Sequence, residues 1–192
     1  MIDTLVAFEP QVQASDVLQR LDLGMGGHVL MTIHRPATVD VPERLAELLD
    51  LIAEVTTKRK VVFPIHPRTV KNIEAFGLKA KCDAIKGLVL TEPLDYFAFQ
   101  KLIATCAFIL TDSGGIQEES TFRQVPCLTL RPNTERPVTI TLGSNELVPL
   151  EMDAVHAAIT RIEQGTFKKG KIPPLWDGHA TERIIEVLER VL

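Results

Sequence analysis

Ile109-Leu-Thr-Asp-Ser-Gly-Gly-Ile-Gln-Glu-Glu119 is the stretch on which the reading of this chain turns. An apolar run ends at Thr111, Asp112 and Ser113 follow as capping-type residues, and Gly114 and Gly115 open a predicted helix. A helix start leaves N–H groups unpaired and carries the positive end of the helix dipole, so it attracts anions. Glycines there keep side chains out of the path of a phosphate. Glu119, under two turns further on, can accept both hydroxyls of a ribose whose phosphates rest at the helix start. The same residues also read as an ordinary capped strand-to-helix turn with two solvent-facing acids, and DSGG alone does not choose between the two.

Working outward, apolar strand-like runs recur: HVLMTI (28–33), KVVFPI (60–65), GLVLTE (87–92), VPCLTL (125–130) and ELVPL (146–150). Helical patterns lie between them. Leu45, Leu48, Leu49, Ile52 and Val55 predict an amphipathic helix over 41–58, and others are expected over 69–76, 96–106, 115–123 and 153–164. Strands this apolar are expected to be covered on both faces, as in parallel sheets. The alternation predicts a doubly wound, mostly parallel α/β sheet of Rossmann type in one domain, 1–192. Ligands on such sheets bind beyond the carboxyl ends of the strands. Helices expected over 2–21, interrupted near Pro10, and over 179–192 either cover this sheet or pack on a unit outside the chain.

Three more loops follow strands. His34 and Arg35 come directly after the first, and His66 and Arg68 repeat that layout after the second. Imidazole exchanges protons near neutral pH and guanidinium clamps phosphate bidentately. A histidine bonded to a neighbouring loop beside a surface arginine explains the first cluster equally well. Arg131-Pro-Asn-Thr-Glu-Arg-Pro137 is the third such loop, and alone it is also compatible with a surface ion pair. No metal is expected, because neither histidine has a second ligand three or four residues away. Gly24-Met-Gly-Gly27 precedes a strand rather than following one, so it is a connector and not a dinucleotide fingerprint.

Composition narrows the classes. The chain has 192 residues, and 21 basic against 25 acidic side chains leave a net charge of −4. No basic patch suits nucleic acid, and no apolar run approaches the roughly 20 residues of a membrane span. Cys82, Cys106 and Cys127 are few, odd in number and far apart, and Cys106 and Cys127, in apolar strings, read as reduced core thiols of a cytoplasmic protein.

TDSGGIQEE (111–119), Thr134-Glu-Arg-Pro137, EPLDY (92–96), the His34–Arg35 pair and PIHPRT (64–69) together resemble the carboxyl-terminal domain of the non-hydrolysing UDP-N-acetylglucosamine 2-epimerases. The likeness runs over essentially the whole chain. It implies one half of a two-domain GT-B fold, with the UDP-sugar between the halves. It also implies interconversion of UDP-GlcNAc and UDP-ManNAc by elimination and re-addition of UDP, without a cofactor, in the service of surface polysaccharide, with a homodimer possible for the full-length enzyme. By that resemblance Ser113, Gly114 and Arg136 meet the diphosphate, Glu119 the ribose, and His34 is the catalytic-site histidine. Arg35 and His66 match positions that contact a second, regulatory UDP-GlcNAc in bacterial members.

Two departures stand out. Pro36-Ala37-Thr38 stands where the family often has a Glu-Asn pair after the His-Arg, and this weakens the regulatory-site expectation. The family's amino-terminal half, whose carboxylates transfer the proton at C2, is outside this chain, so the chain alone is expected to bind UDP without turning over substrate. Half of a GT-B glycosyltransferase and a non-catalytic UDP-sugar sensor are the alternatives.

Overall fold

The computed structural model describes all residues, Met1–Leu192. In chain order the elements are α1 (Ile2–Ala7), α2 (Glu9–Ala14), α3 (Val17–Arg20), β1 (His28–Thr32), α4 (Pro36–Val39), α5 (Pro42–Val55), β2 (Lys60–Pro64), α6 (Pro67–Ala75) and α7 (Lys79–Asp83). Then come β3 (Leu88–Thr91), α8 (Tyr96–Thr105), β4 (Phe108–Thr111), α9 (Gly114–Phe122), β5 (Cys127–Thr129), α10 (Pro137–Thr141), β6 (Asn145–Leu147), α11 (Met152–Glu163) and α12 (Ala180–Val191).

All six strands are parallel, in the order β3-β2-β1-β4-β5-β6. This is the doubly wound Rossmann-like layout, the architecture of one half of a GT-B fold. Strand order reverses between β1 and β4, where Thr32 lies opposite Thr111, so the binding crevice opens beyond these two residues. Successive side chains serve opposite faces of the sheet. Val29, Met31, Phe108 and Leu110 face Leu45, Leu48 and Ile52 of α5 and Val155 of α11. Leu30, Ile109 and Cys127 face Leu102 and Ile103 of α8 and Ile116 of α9. Both faces are therefore dry, and the central strands must read as unbroken apolar runs.

The outer strand β3 departs from that expectation. It is only partly covered, with Leu90 44% exposed, because an edge strand has a neighbour on one side only. Three helices escape the sequence pattern: α4, α7 and α10, of four or five residues each. An amphipathic period needs more residues than that to register. Pro36 and Pro137 start α4 and α10, where a missing N–H costs nothing. The break near the amino terminus falls at Phe8, and Pro10 sits in the first turn of α2 for the same reason.

The two ends of the chain behave differently. Leu5, Val12 and Val17 of α1–α3 are fully buried, and the Phe8 ring lies 5.6 Å from that of Phe97 on α8. By contrast α12 has no buried residue and exposes Ile184, Ile185, Leu188 and Val191. Its first turn is tied to α1 by Thr181, whose N–H and hydroxyl donate to Asp3 Oδ2 at 2.9 and 3.0 Å. The three cysteines are unpaired and buried, and burial pushes the Cys127 thiol up to about 11, which keeps it protonated and unreactive.

Candidate functional site

Asp112 organises the crevice. It is wholly buried at the end of β4, and its Oδ2 accepts the backbone N–H groups of His34 at 2.9 Å and Arg35 at 2.7 Å. Arg35 Nε returns a hydrogen bond to the Asp112 carbonyl at 2.9 Å. His34 Nδ1 lies 3.1 Å from Asp112 Oδ1. Beneath this staple the hydroxyls of Thr32 and Thr111 are 2.7 Å apart, and Ser113 N–H donates to Thr111 Oγ1 at 2.9 Å. The loop after β1 is thus locked to the turn after β4, and His34 is delivered beside the start of α9. The sequence offered Asp112 only as a cap; the structure makes it the bridge.

At that start Ser113 is in extended conformation and its hydroxyl makes no capping bond. A Cβ added to Gly114 would meet only Glu135 Oε2, at 3.8 Å. The ligand-free fold therefore does not need glycine there for space, whereas an anion approaching the helix N–H groups does. A carboxylate of the chain itself already faces this helix end. Glu135 is gripped by both terminal nitrogens of Arg131, at 2.7 and 3.1 Å, and Arg131 holds its carboxyl down to about 2. Arg131 is itself buried, so it braces the loop rather than probing solvent.

Gln117 joins helix and loop. Buried on α9, it donates to Ser113 O at 3.2 Å, and its Oε1 accepts from Thr134 Oγ1 at 2.6 Å and Asn145 Nδ2 at 3.1 Å. The Thr134 hydroxyl in turn accepts Arg136 N–H at 2.9 Å. Arg136 thereby stands over α9 with Nε 3.0 Å from Glu118 Oε2, and a phosphate must draw it away from that carboxylate.

Glu119 points to the other flank of α9, toward α8. Burial pushes its carboxyl up, and the charge of Arg123 pulls the other way. His66 caps α6, with Nδ1 accepting Arg68 N–H at 3.1 Å, and its ring centre lies 5.8 Å from that of His34. Both imidazoles line a cavity of about 330 Å³ whose far wall is Pro93, Leu94 and Phe99. Arg35 opens instead into a separate cavity of about 460 Å³ beside Asp112. The structure therefore puts Ser113 and Gly114 at the helix start, sets Arg136 over the next turn of α9 beside Glu118, groups His34 with His66, and gives Arg35 and His66 separate cavities. Asp112, Gln117 and the Leu94–Phe99 wall went without a role in the sequence reading. Membership of Asp112 and Gln117 in DSGGIQ and of Leu94 in EPLDY was the available signal, and it identifies a motif without saying what each member touches.

The family model for UDP-N-acetylglucosamine 2-epimerase matches residues 1–189. UDP-N-acetylglucosamine 2-epimerase of Methanocaldococcus jannaschii is 39% identical over 164 residues, which cover 84% of this chain and 44% of that protein. UDP-2,3-diacetamido-2,3-dideoxy-D-glucuronate 2-epimerase of Pseudomonas aeruginosa is 34% identical over 167 residues, covering 86% of this chain and 45% of that one. The crystal structure of the M. jannaschii enzyme in complex with UDP-GlcNAc and UDP superimposes with a TM-score of 0.81 at 30% identity, over 98% of this chain and 52% of that chain. The chain spans about half the length of the relatives it matches.

Proposed function

The chain belongs to the UDP-N-acetylglucosamine 2-epimerase family, and from that premise we propose that it is the UDP-binding half of a UDP-sugar 2-epimerase. The observation that carries the proposal is the open start of α9. There a free Ser113 hydroxyl, bare Gly114 and loop-borne Arg136 converge, and Asp112 fastens His34 alongside. The diphosphate takes the N–H groups and the Arg136 guanidinium. Glu119 accepts the ribose hydroxyls, and the base lies in the cavity walled by Leu94 and Phe99. His34, partly exposed and held from behind by Asp112, steadies the charge on UDP as it leaves C1.

Proton transfer at C2 needs a free acid or base close to the sugar. Three carboxylates around the helix start are each committed elsewhere: Asp112 to backbone N–H groups, Glu118 to Arg136 and Glu135 to Arg131. Glu151 lines the neighbouring cavity exposed and unpaired, but one carboxylate does not supply proton removal and return on opposite faces. The paired groups are therefore assigned to a second unit of the enzyme, against which the apolar face of α12 packs. The relatives' names span a neutral and an acidic sugar, so the substituent at C6 is open.

A ¹⁵N-resolved NMR titration of the chain with UDP tests the site. Amides 113–115 and the Arg136 loop should shift in saturable fashion, and shifts confined to other surfaces would overturn the assignment. UDP-GlcNAc incubated with the chain alone should stay unchanged in its ¹H spectrum, and the appearance of UDP-ManNAc would contradict the division of labour between two units.

A further inference from the structure

Nearly every arginine of this chain is spoken for. Of eleven in the sequence, eight lie beside a carboxylate. The three that do not are Arg35, Arg44 and Arg190, and two of these line one cavity, the 460 Å³ space next to Asp112. Each makes a single hydrogen bond, Arg35 Nε to the Asp112 carbonyl at 2.9 Å and Arg44 Nη1 to the Ala37 carbonyl at 2.8 Å. Their other guanidinium donors have no protein acceptor.

The cavity's other charged groups do not pair with them. Arg131 is neutralised by Glu135, and Asp112 Oδ2 is taken up by the N–H groups of His34 and Arg35. Glu151 is exposed and makes no ion pair. In formal charge Asp112 and Glu151 match the two arginines, but neither carboxylate lies within ion-pair distance of either guanidinium, so the donors stay open. Open guanidinium donors lining a concave space are the usual means of taking a carboxylate or phosphate. Position says which group of the ligand arrives there. Asp112 is the wall of this cavity and the neighbour of Ser113, so the moiety attached beyond the diphosphate is the part within reach. The volume is in the range of ligand pockets.

We propose that Arg35 and Arg44 form a second anion subsite, separate from the start of α9, which takes a carboxylate carried by the sugar of the bound nucleotide sugar. The inference rests on the UDP-sugar reading and narrows its substrate class to acidic sugars.

Calorimetric titration of the chain with UDP, UDP-N-acetylglucosamine and UDP-N-acetylglucosaminuronate tests it, in wild type and in Arg44→Met. In low salt the uronate should bind about fivefold or more tighter than the neutral sugar, the size expected of a partly exposed charge pair. Arg44→Met should bring the two sugars within about twofold while UDP itself binds as before. Equal affinity of the two sugars in wild type, or a preference that survives Arg44→Met, overturns the subsite and leaves the UDP reading standing. Failure of UDP to bind at all removes both readings together.

Discussion

Gly114 separates function from folding more sharply than any other residue. A methyl group there meets nothing closer than 3.8 Å in the free chain, and alanine is the better helix former by about 0.5–1 kcal/mol. Gly114→Ala is therefore expected to keep or raise Tm while weakening UDP tenfold or more, about 1.4 kcal/mol, measurable by calorimetry beside a melting curve. Glu119 should show the opposite coupling of stability and binding to charge. Its folded pKa is raised by burial, so the native state binds the proton more tightly than the unfolded chain, and ionisation costs stability above the unfolded value of about 4.3. Glu119→Gln should thus raise Tm at pH 7, with the gain shrinking as pH falls toward about 4.3 and absent below it, and should cost about 1–2 kcal/mol of UDP binding. A third test concerns the Glu118–Arg136 pair. Glu118→Gln frees the guanidinium, and UDP should bind about twofold to fivefold tighter at low salt, an effect that 0.5 M salt erases; weaker binding would mean that Glu118 positions Arg136 rather than competing for it.

Among the elements, central strands and long helices were legible because their causes are local. Val29 to Met31 and Phe108 to Leu110 are apolar on both faces of the sheet, and α5 repeats its core residues every three or four positions. Asp112 was not legible in the same way. Its partners His34 and Arg35 are 78 and 77 residues away, and no window along the chain contains both ends of that contact. Gln117 is similar, with Thr134 and Asn145 at 17 and 28 residues. Removal of the bridge should be costly to both fold and site. Asp112→Ala strands two backbone donors, so a loss of about 2–4 kcal/mol and a fall in Tm of roughly 4–10 °C are expected, together with loss of UDP binding. At the opposite end of β1, His28 is fully buried and burial pushes its imidazole down. The unfolded chain then takes up the proton first, so stability declines as pH falls through about 6.5. In His28→Gln the slope of stability between about pH 7 and 5 should be shallower than in wild type.

For the whole molecule, the contrast between the chain's ends carries the division of labour. Helices α1–α3 are buried against α8 and α9, whereas α12 hangs by its first turn and shows its apolar residues to solvent. A face like this contributes little to the fold of the domain that carries it. Nothing in the amphipathic pattern of 2–21 or 179–192 distinguished the two cases, because a helix records that it has an apolar face and not what covers it. The nucleotide site was legible as a set of motifs, and its geometry was not, since it depends on how three strand ends meet. If the start of α9 is the seat of UDP, thermal unfolding with and without millimolar UDP, in wild type and Gly114→Ala, registers it. Ligand at about 100 times its dissociation constant stabilises the fold by about 2.7 kcal/mol, several degrees for a chain of this size. Wild type should show that shift with UDP and none with AMP, and Gly114→Ala should show about half of it or less, the remainder left by a tenfold weaker affinity. An equal shift in the variant, or no shift in wild type, would contradict that seat.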